Sequence, residues 1–330
     1  MLPMRALAGV AAVAVFITLT TTAEPRPLGG GERAFVAAED DNQLVAVDIE
    51  RGRVARIVAR LRVPRGPHNV AAARASRSVL VTSPPAGRVT LVDAYTANAR
   101  ATFRGLRYPH DVEFHPRGRY AYVTEEQGDA VAVLDLLRRR VSFRVRVPER
   151  PHDLAVSPGG ARVWVTHGAR AGALTVLDTR RPDRPRVLRS TAVARAPHDI
   201  TFACRGLRVW VTFWNSGIVG AYDARSGKLA FARKLGVLVH HVQSDYVGRD
   251  VWITDHVGAR ARLLAGCSGR LLRTLRVGHS PHHVGVGMFR GQVAVASHDG
   301  TLTVLDPPSK RVQRVEVGRG LHGVAIAAVP

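Results

Sequence analysis

Cysteine is nearly missing from this chain of 330 residues: there are two, Cys204 and Cys267. So low a count excludes a cysteine-built metal centre and a disulfide scaffold. A single bridge between the pair stays open beside two unpaired thiols, because sequence alone cannot bring two Cα atoms within reach. Long apolar runs are missing too. The longest, Ala6 to Leu19, falls short of the ~20 residues a spanning helix requires. It follows Arg5 and leads to Thr21 and Ala23, the layout of a secretory signal over residues 1–23. No cysteine follows it, so a lipid anchor is not expected. The expected product starts near Glu24 and is secreted or periplasmic (cell envelope), with a linker over 24–31, where "GGGERAF" holds the only dense glycine run. An uncleaved membrane anchor is the alternative. No later run is long enough to span a bilayer, so no transmembrane domain remains after cleavage.

Lysine is equally scarce: Lys228, Lys234 and Lys310 stand among 48 basic residues, and arginine supplies the rest of a net charge of +22. Such a charge invites a nucleic-acid partner. The arginines are scattered, however, and the densest group, "LLRRRVSFRVRV" at Leu136 to Val147, alternates arginine with apolar residues, as one solvent face of a strand does. Anionic envelope polymers or proteins fit this chain better than nucleic acid. Also lacking are a Gly-x-Ser-x-Gly elbow, a phosphate-cradling glycine loop and an HExxH helix.

What the chain does contain is one unit written repeatedly. Its heads read "PHNV" at Pro67, "PHDV" at Pro109, "PHDL" at Pro151, "PHDI" at Pro197, "VHHV" at Val239, "PHHV" at Pro281 and "LHGV" at Leu321. The histidines are His68, His110, His152, His198, His240, His282 and His322, spaced by 42, 42, 46, 42, 42 and 40 residues. After each of the first six heads comes an apolar run such as "YAYVTE" or "RVWVTH", and then another such as "VAVLDL". Four short β-runs per period of about 40, separated by turn residues, predict propeller blades. The start, from Glu32, has the second, third and fourth runs of a unit without a first, and "GLHGVAIAAV" at the end is a lone first run. Together they complete one blade. The expectation is an all-β, seven-bladed β-propeller of four-stranded blades over 32–330, closed by N-terminal strands pairing with the C-terminal strand, and monomeric.

The runs "YAYVT" and "RVWVTH", preceded by "HPRGR" or "SPGGAR" and followed by "VLD", resemble the YVTN-repeat (YncE-like) propellers of exported bacterial proteins. The place of the asparagine after "YVT" is held by Ser83, Glu125, His167, Phe213, Asp255 and Ser297, a departure from that pattern. The resemblance implies an exported binding or scaffold propeller whose first strands line a central channel. Seven head histidines would then ring one mouth, with Glu39, Glu125, Glu126, His167, Asp255, His256 and His298 near the rim, and His241 and His283 doubling two heads. In placement the heads also resemble the propeller of nitrous oxide reductase, whose copper cluster is held by histidines; the partner copper domain of that enzyme has no counterpart sequence here, and its activity is not carried over.

Imidazole is the commonest metal ligand, and a subset of His68, His110, His152, His198, His240, His282 and His322 is expected to hold a transition metal, copper, zinc or iron. A small anion between protonated rings is a second expectation, stronger below about pH 6.5. A structural role, each ring donating to a neighbouring blade, is the third. In an alternating strand His110 would share a face with Val112 and Phe114, and His152 with Leu154 and Val156. Asp111, Asp153 and Asp199 would then point away, excluding a His–Asp pair within one strand. His167, Glu125 and Asp255 are the candidates for acid–base work should a metal-assisted lactonase or lyase be built at the rim. The enzyme reading is secondary to binding; a cell-surface interaction scaffold is the other alternative.

Overall fold

The computed structural model of the protein describes residues 31–49, 52–74, 76–168, 172–214, 216–288, 291–307 and 309–329. The expected signal, and the expected linker up to residue 30, lie outside them. The described residues form seven four-stranded antiparallel sheets. Blades 1 to 6 take their inner strands from Val70–Ala72, Pro109–Phe114, Pro151–Val156, Pro197–Ala203, Val239–Ser244 and Pro281–Val286. In blade 7 the inner strand is Leu321–Val329, and it pairs with Gly31–Ala38, which continues through Gln43–Asp48 to Arg56–Arg62. The ring is therefore latched by the two ends of the chain, as the lone first run at the C-terminus predicts. Each inner strand packs against the next, and the seventh against the first.

The strand patterns follow from this stacking. Second and third strands lie between two neighbouring blades, so Ser78–Ser83 and Ala130–Asp135 are buried on both faces and read as nearly continuous apolar runs. Outer strands meet solvent, and Arg140–Arg146 alternates exposed arginines with half-covered residues, as the sequence predicts. Apolar clusters fill the gaps between blades, for example Tyr122, Val131 and Val133 of blade 2 against Leu154, Val163 and Val165 of blade 3. The aspartate of "VLD" closes the turn that follows it: Asp93 accepts from the N–H groups of Tyr95 and Thr96 at 2.8 and 2.9 Å, an Asx turn. No helix among the described residues is long and apolar enough to cross a membrane.

Side chains also tie blades together. Arg33 of the latching strand is fully buried, pairs with Asp48 at 2.6 Å and donates to the carbonyls of Ala94 and Tyr95 in blade 1. Cys204, just past the inner strand of blade 4, is disulfide-bonded to Cys267 in the last turn of blade 5, closing a span of 63 residues. Cross-linking such a loop restricts the unfolded chain, which corresponds to roughly 4 kcal/mol in the chain-entropy account. Replacing both cysteines by serine is expected to lower the urea unfolding free energy by about 2–4 kcal/mol; an unchanged midpoint would show that the bridge constrains nothing.

Candidate functional site

A repeated backbone irregularity places the histidines. In blade 3 Pro151 pairs with His167 while Leu154 pairs with Val165, so His152 and Asp153 together oppose Thr166. The same one-residue bulge follows Pro109, Pro197, Val239 and Pro281. The threonine hydroxyl fills the gap. Thr166 accepts from the N–H of Asp153 at 3.0 Å and donates to the carbonyl of His198, in the next blade, at 2.6 Å. Thr82, Thr124, Thr212 and Thr254 do likewise, reaching the carbonyls of His110, His152, His240 and His282 at 2.6–2.9 Å. Blade 6 has Ala296 at this place.

The residue before four of the five Pro-His heads also has a fixed role. Tyr108, Arg150, Ala196 and Ser280 are left-handed, with φ of 49–59°. That conformation costs a side-chain-bearing residue about 1–2 kcal/mol. It turns their carbonyls toward the loop beyond the threonine, where they accept from the N–H groups of Glu126, Gly168, Trp214 and His298 at 2.8–3.1 Å. Proline fits the next position because its φ is preset and it brings no N–H to be satisfied.

The seven head imidazoles form a closed circuit. Their centroids are 4.5 Å apart from His68 to His110, 3.8 Å from His110 to His152, and 4.5 Å from His152 to His198 and from His198 to His240. From His240 to His282 and from His282 to His322 the spacing is 4.1 Å, and His322 returns to His68 at 3.5 Å. A circuit through seven blades can close only around their common axis, so the rings share one space. In five of them, His68, His198, His240, His282 and His322, the buried Nδ1 atom has no hydrogen-bond partner.

The bulge turns the next residue inward as well, giving a second layer of Asn69, Asp111, Asp153, Asp199, His241, His283 and Gly323. This corrects the expectation that each aspartate points away from its histidine: Asp153 Oδ2 lies 3.0 Å from His152 Nδ1, and Asp153 Oδ1 lies 3.2 Å from His110 Nδ1. The extra residue breaks the period-two alternation on which that expectation rested. The layer has two unlike halves. Asp111, Asp153 and Asp199 stand on blades 2 to 4; His241 and His283 stand on blades 5 and 6, their centroids 4.0 Å apart. Gly323 leaves blade 7 without a side chain here, since a Cβ would lie 2.4 Å from the carbonyl oxygen of His68.

Burial governs the protonation of both layers. Desolvation, helped by neighbouring imidazoles, holds His68, His198, His240 and His322 well below the usual histidine range and brings His282 to about 3; burial alone brings His241 to about 4, against the pull of Asp153. Burial would raise Asp153, but the charges and hydrogen bonds of His152 and His110 hold it well below the carboxylate range. Burial, with the adjacent Asp153 charge, pushes Asp111 up to about 8 and Asp199 well above its ordinary value. At neutral pH the ring therefore offers mostly uncharged imidazoles, which suits a metal better than an anion.

The rim residues divide by parity. Two places after the threonine, or after Ala296 in blade 6, side chains face the mouth: Trp214 stacks on His198 at 4.9 Å, His256 lies 5.1 Å from His282, and His298 lies 5.9 Å from His282. Glu39 comes within ligand-sharing distance of His68 and His322. One place after the threonine, side chains turn into the blade. Glu125 is held by Arg144 at 2.7 Å, His167 bonds Thr175 at 2.8 Å and the carbonyl of Glu149 at 3.1 Å, and Asp255 pairs with Arg262 at 2.8 Å. The three acid–base candidates are thus each tied within their own blade rather than brought together. Sequence reasoning missed Trp214 and the threonine ring, although each threonine stands 14 residues after its histidine. Beside the ring an open groove of about 280 Å³ is lined by Glu126, Arg150, His152, His198 and Trp214.

No family model and no curated protein matches the chain. Solved structures do. The periplasmic gluconolactonase of Pseudomonas aeruginosa is similar with a TM-score of 0.72 at 20% identity, over 91% of this chain and 99% of that one. A putative 6-phosphogluconolactonase of Bacteroides uniformis gives 0.74 at 14% identity, over 89% and 99%. Hydrazine synthase of Kuenenia stuttgartiensis gives 0.67 at 16% identity, over 77% and 87%. At these identities the likeness establishes the class, a seven-bladed β-propeller, and nothing finer.

The buried neutral rings make stability acid-sensitive. In the metal-free protein the unfolded chain binds protons at these histidines below about pH 6.5 while the native ring does not, so stability is complete above that value and is lost as pH falls. The raised carboxyls Asp111, Asp199, Glu113 and Glu39, and His110, which Asp153 raises against burial, act in the opposite sense but are outnumbered by the lowered histidines. Urea unfolding at pH 7.5 and pH 5.0 is expected to show a clear loss at the lower pH, by about 1.4 kcal/mol per pH unit for each net proton taken up. A flat profile down to pH 5 would contradict the burial of the ring.

Proposed function

We propose that the protein is an exported, YVTN-type binding propeller that holds a transition metal, copper, zinc or iron, within its ring of head histidines. The observation that carries this reading is the set of five buried Nδ1 atoms without a hydrogen-bond partner, gathered on one axis, of which that of His198 has a carboxylate nearby, Asp153 at 3.9 Å. A buried polar atom without a partner costs about 1–3 kcal/mol, and coordination by a metal would remove that cost. Imidazole nitrogen is the preferred donor for these metals. Export is supported by the Cys204–Cys267 bridge, which persists in oxidising compartments, and by the periplasmic neighbour. The "YAYVT" and "RVWVTH" runs support the repeat class.

A second reading, metal-assisted opening of a lactone, is favoured by the groove beside His152, His198 and Trp214 and by the names of two structural neighbours. It requires turnover in a lactone screen that disappears with the metal. For the binding reading, untagged protein equilibrated separately with copper(II), zinc(II) and iron(II), then desalted, is expected to retain at least one of them stoichiometrically. His240→Ala/His322→Ala is expected to lose it while keeping a propeller circular dichroism spectrum. Wild-type protein that retains none of the three would end this reading.

A further inference from the structure

The head ring is symmetric in sequence, but its surroundings are not. On the flank of blades 2 and 3, His110 and His152 direct their Nδ1 atoms to Asp153 at 3.2 and 3.0 Å. These two rings are oriented and satisfied by the protein itself. On the flank of blades 6 and 7, His282, His283 and His322 bring three ligand atoms within 4.8 Å of one another. Their centroids are 4.1 Å apart for His282 and His322 and 4.8 Å for His283 and His322. The Nδ1 atoms of all three are buried without a partner. His283 and His322 are themselves 9% and 7% exposed, so water cannot take the partner's place freely.

We infer that the metal sits off the channel axis, bound by His282, His283 and His322 as a three-imidazole site. This rests on the ring-metal reading above and deepens it. One of the three ligands, His283, belongs to the second layer rather than to the heads, and it reaches the site because the bulge after Pro281 turns it inward. An all-nitrogen donor set takes copper or zinc and disfavours magnesium, calcium and manganese, which prefer oxygen. Three protein ligands on zinc leave a fourth position for water or a small anion. An anion could therefore bind here through the metal, without protonated rings. Asp153, on the opposite flank, acts as the anchor of His110 and His152 rather than as a ligand.

Zinc(II) and copper(II) titrations of untagged protein, read by calorimetry and by metal content after desalting, separate the possibilities. One equivalent is expected. His283→Ala is expected to weaken binding more than ~100-fold, since disturbing even the supports of metal ligands costs 10–100-fold. His152→Ala, on the other flank, is expected to leave stoichiometry and affinity as in the wild type. If His283→Ala does not fold, His322→Gln serves in its place. Binding that survives His283→Ala and is lost in His152→Ala would overturn the off-axis site while leaving a ring metal in place. Two equivalents would overturn it as well. Wild-type protein that binds neither of these ions would overturn the three-imidazole site, and one that also fails to retain iron(II) would remove the reading on which it rests.

Discussion

A threonine hydroxyl wedged into a β-bulge is the contact on which the channel mouth depends. It accepts from the backbone of its own blade and donates to the head-histidine carbonyl of the next, in five blades. Each such bond is modest, about 1 kcal/mol net. Their geometry matters more than their sum. Because each hydroxyl holds the backbone of one head against its neighbour, the imidazoles are set side by side at 3.5–4.5 Å around the axis.

That arrangement is costly. Packing seven imidazoles into a desolvated ring drives protons off most of them and leaves several nitrogens without partners. Asp153 relieves the strain on one side: its charge is stabilised by His110 and His152, while burial, and after it that same charge, pushes Asp111 and Asp199 to keep their protons. On the opposite side His241 is partnered, its Nε2 3.2 Å from Asp199 Oδ2 and its Nδ1 accepting from the N–H of Val284, whereas the Nδ1 atoms of His282, His283 and His322 have no hydrogen-bond partner. A scaffold serving packing alone would have little reason to concentrate unpartnered nitrogens there, whereas a metal would give them a common partner.

The architecture was readable because it is periodic. Recurrence of Pro-His every 42 residues or so, four apolar runs per unit and a lone first run at the C-terminus all carry information that survives without coordinates. The site was readable only in its first layer. Strict alternation placed Asp153 away from His152, and one extra residue per inner strand reverses that inference. At the rim the sequence reading placed Glu125, His167 and Asp255 together with Glu126 and His256, and only the structure separates the first three, tied inside their blades, from side chains that face the mouth. A bulge leaves little trace in composition or hydropathy; its mark here was the threonine at a constant offset, which reads as an ordinary strand residue until its hydroxyl is seen to bridge two blades. The Cys204–Cys267 bridge was open in the sequence for a related reason, since a span of 63 residues says nothing about distance.

The central claim is that the ring's free nitrogens serve a metal. X-ray absorption at the edge of the bound metal, on untagged protein loaded with zinc or copper, tests it most directly. The account predicts a nitrogen shell near 2.0–2.1 Å for zinc, with the outer-shell scattering of imidazole rings and no sulfur. A spectrum with oxygen neighbours only, lacking imidazole scattering, would contradict it.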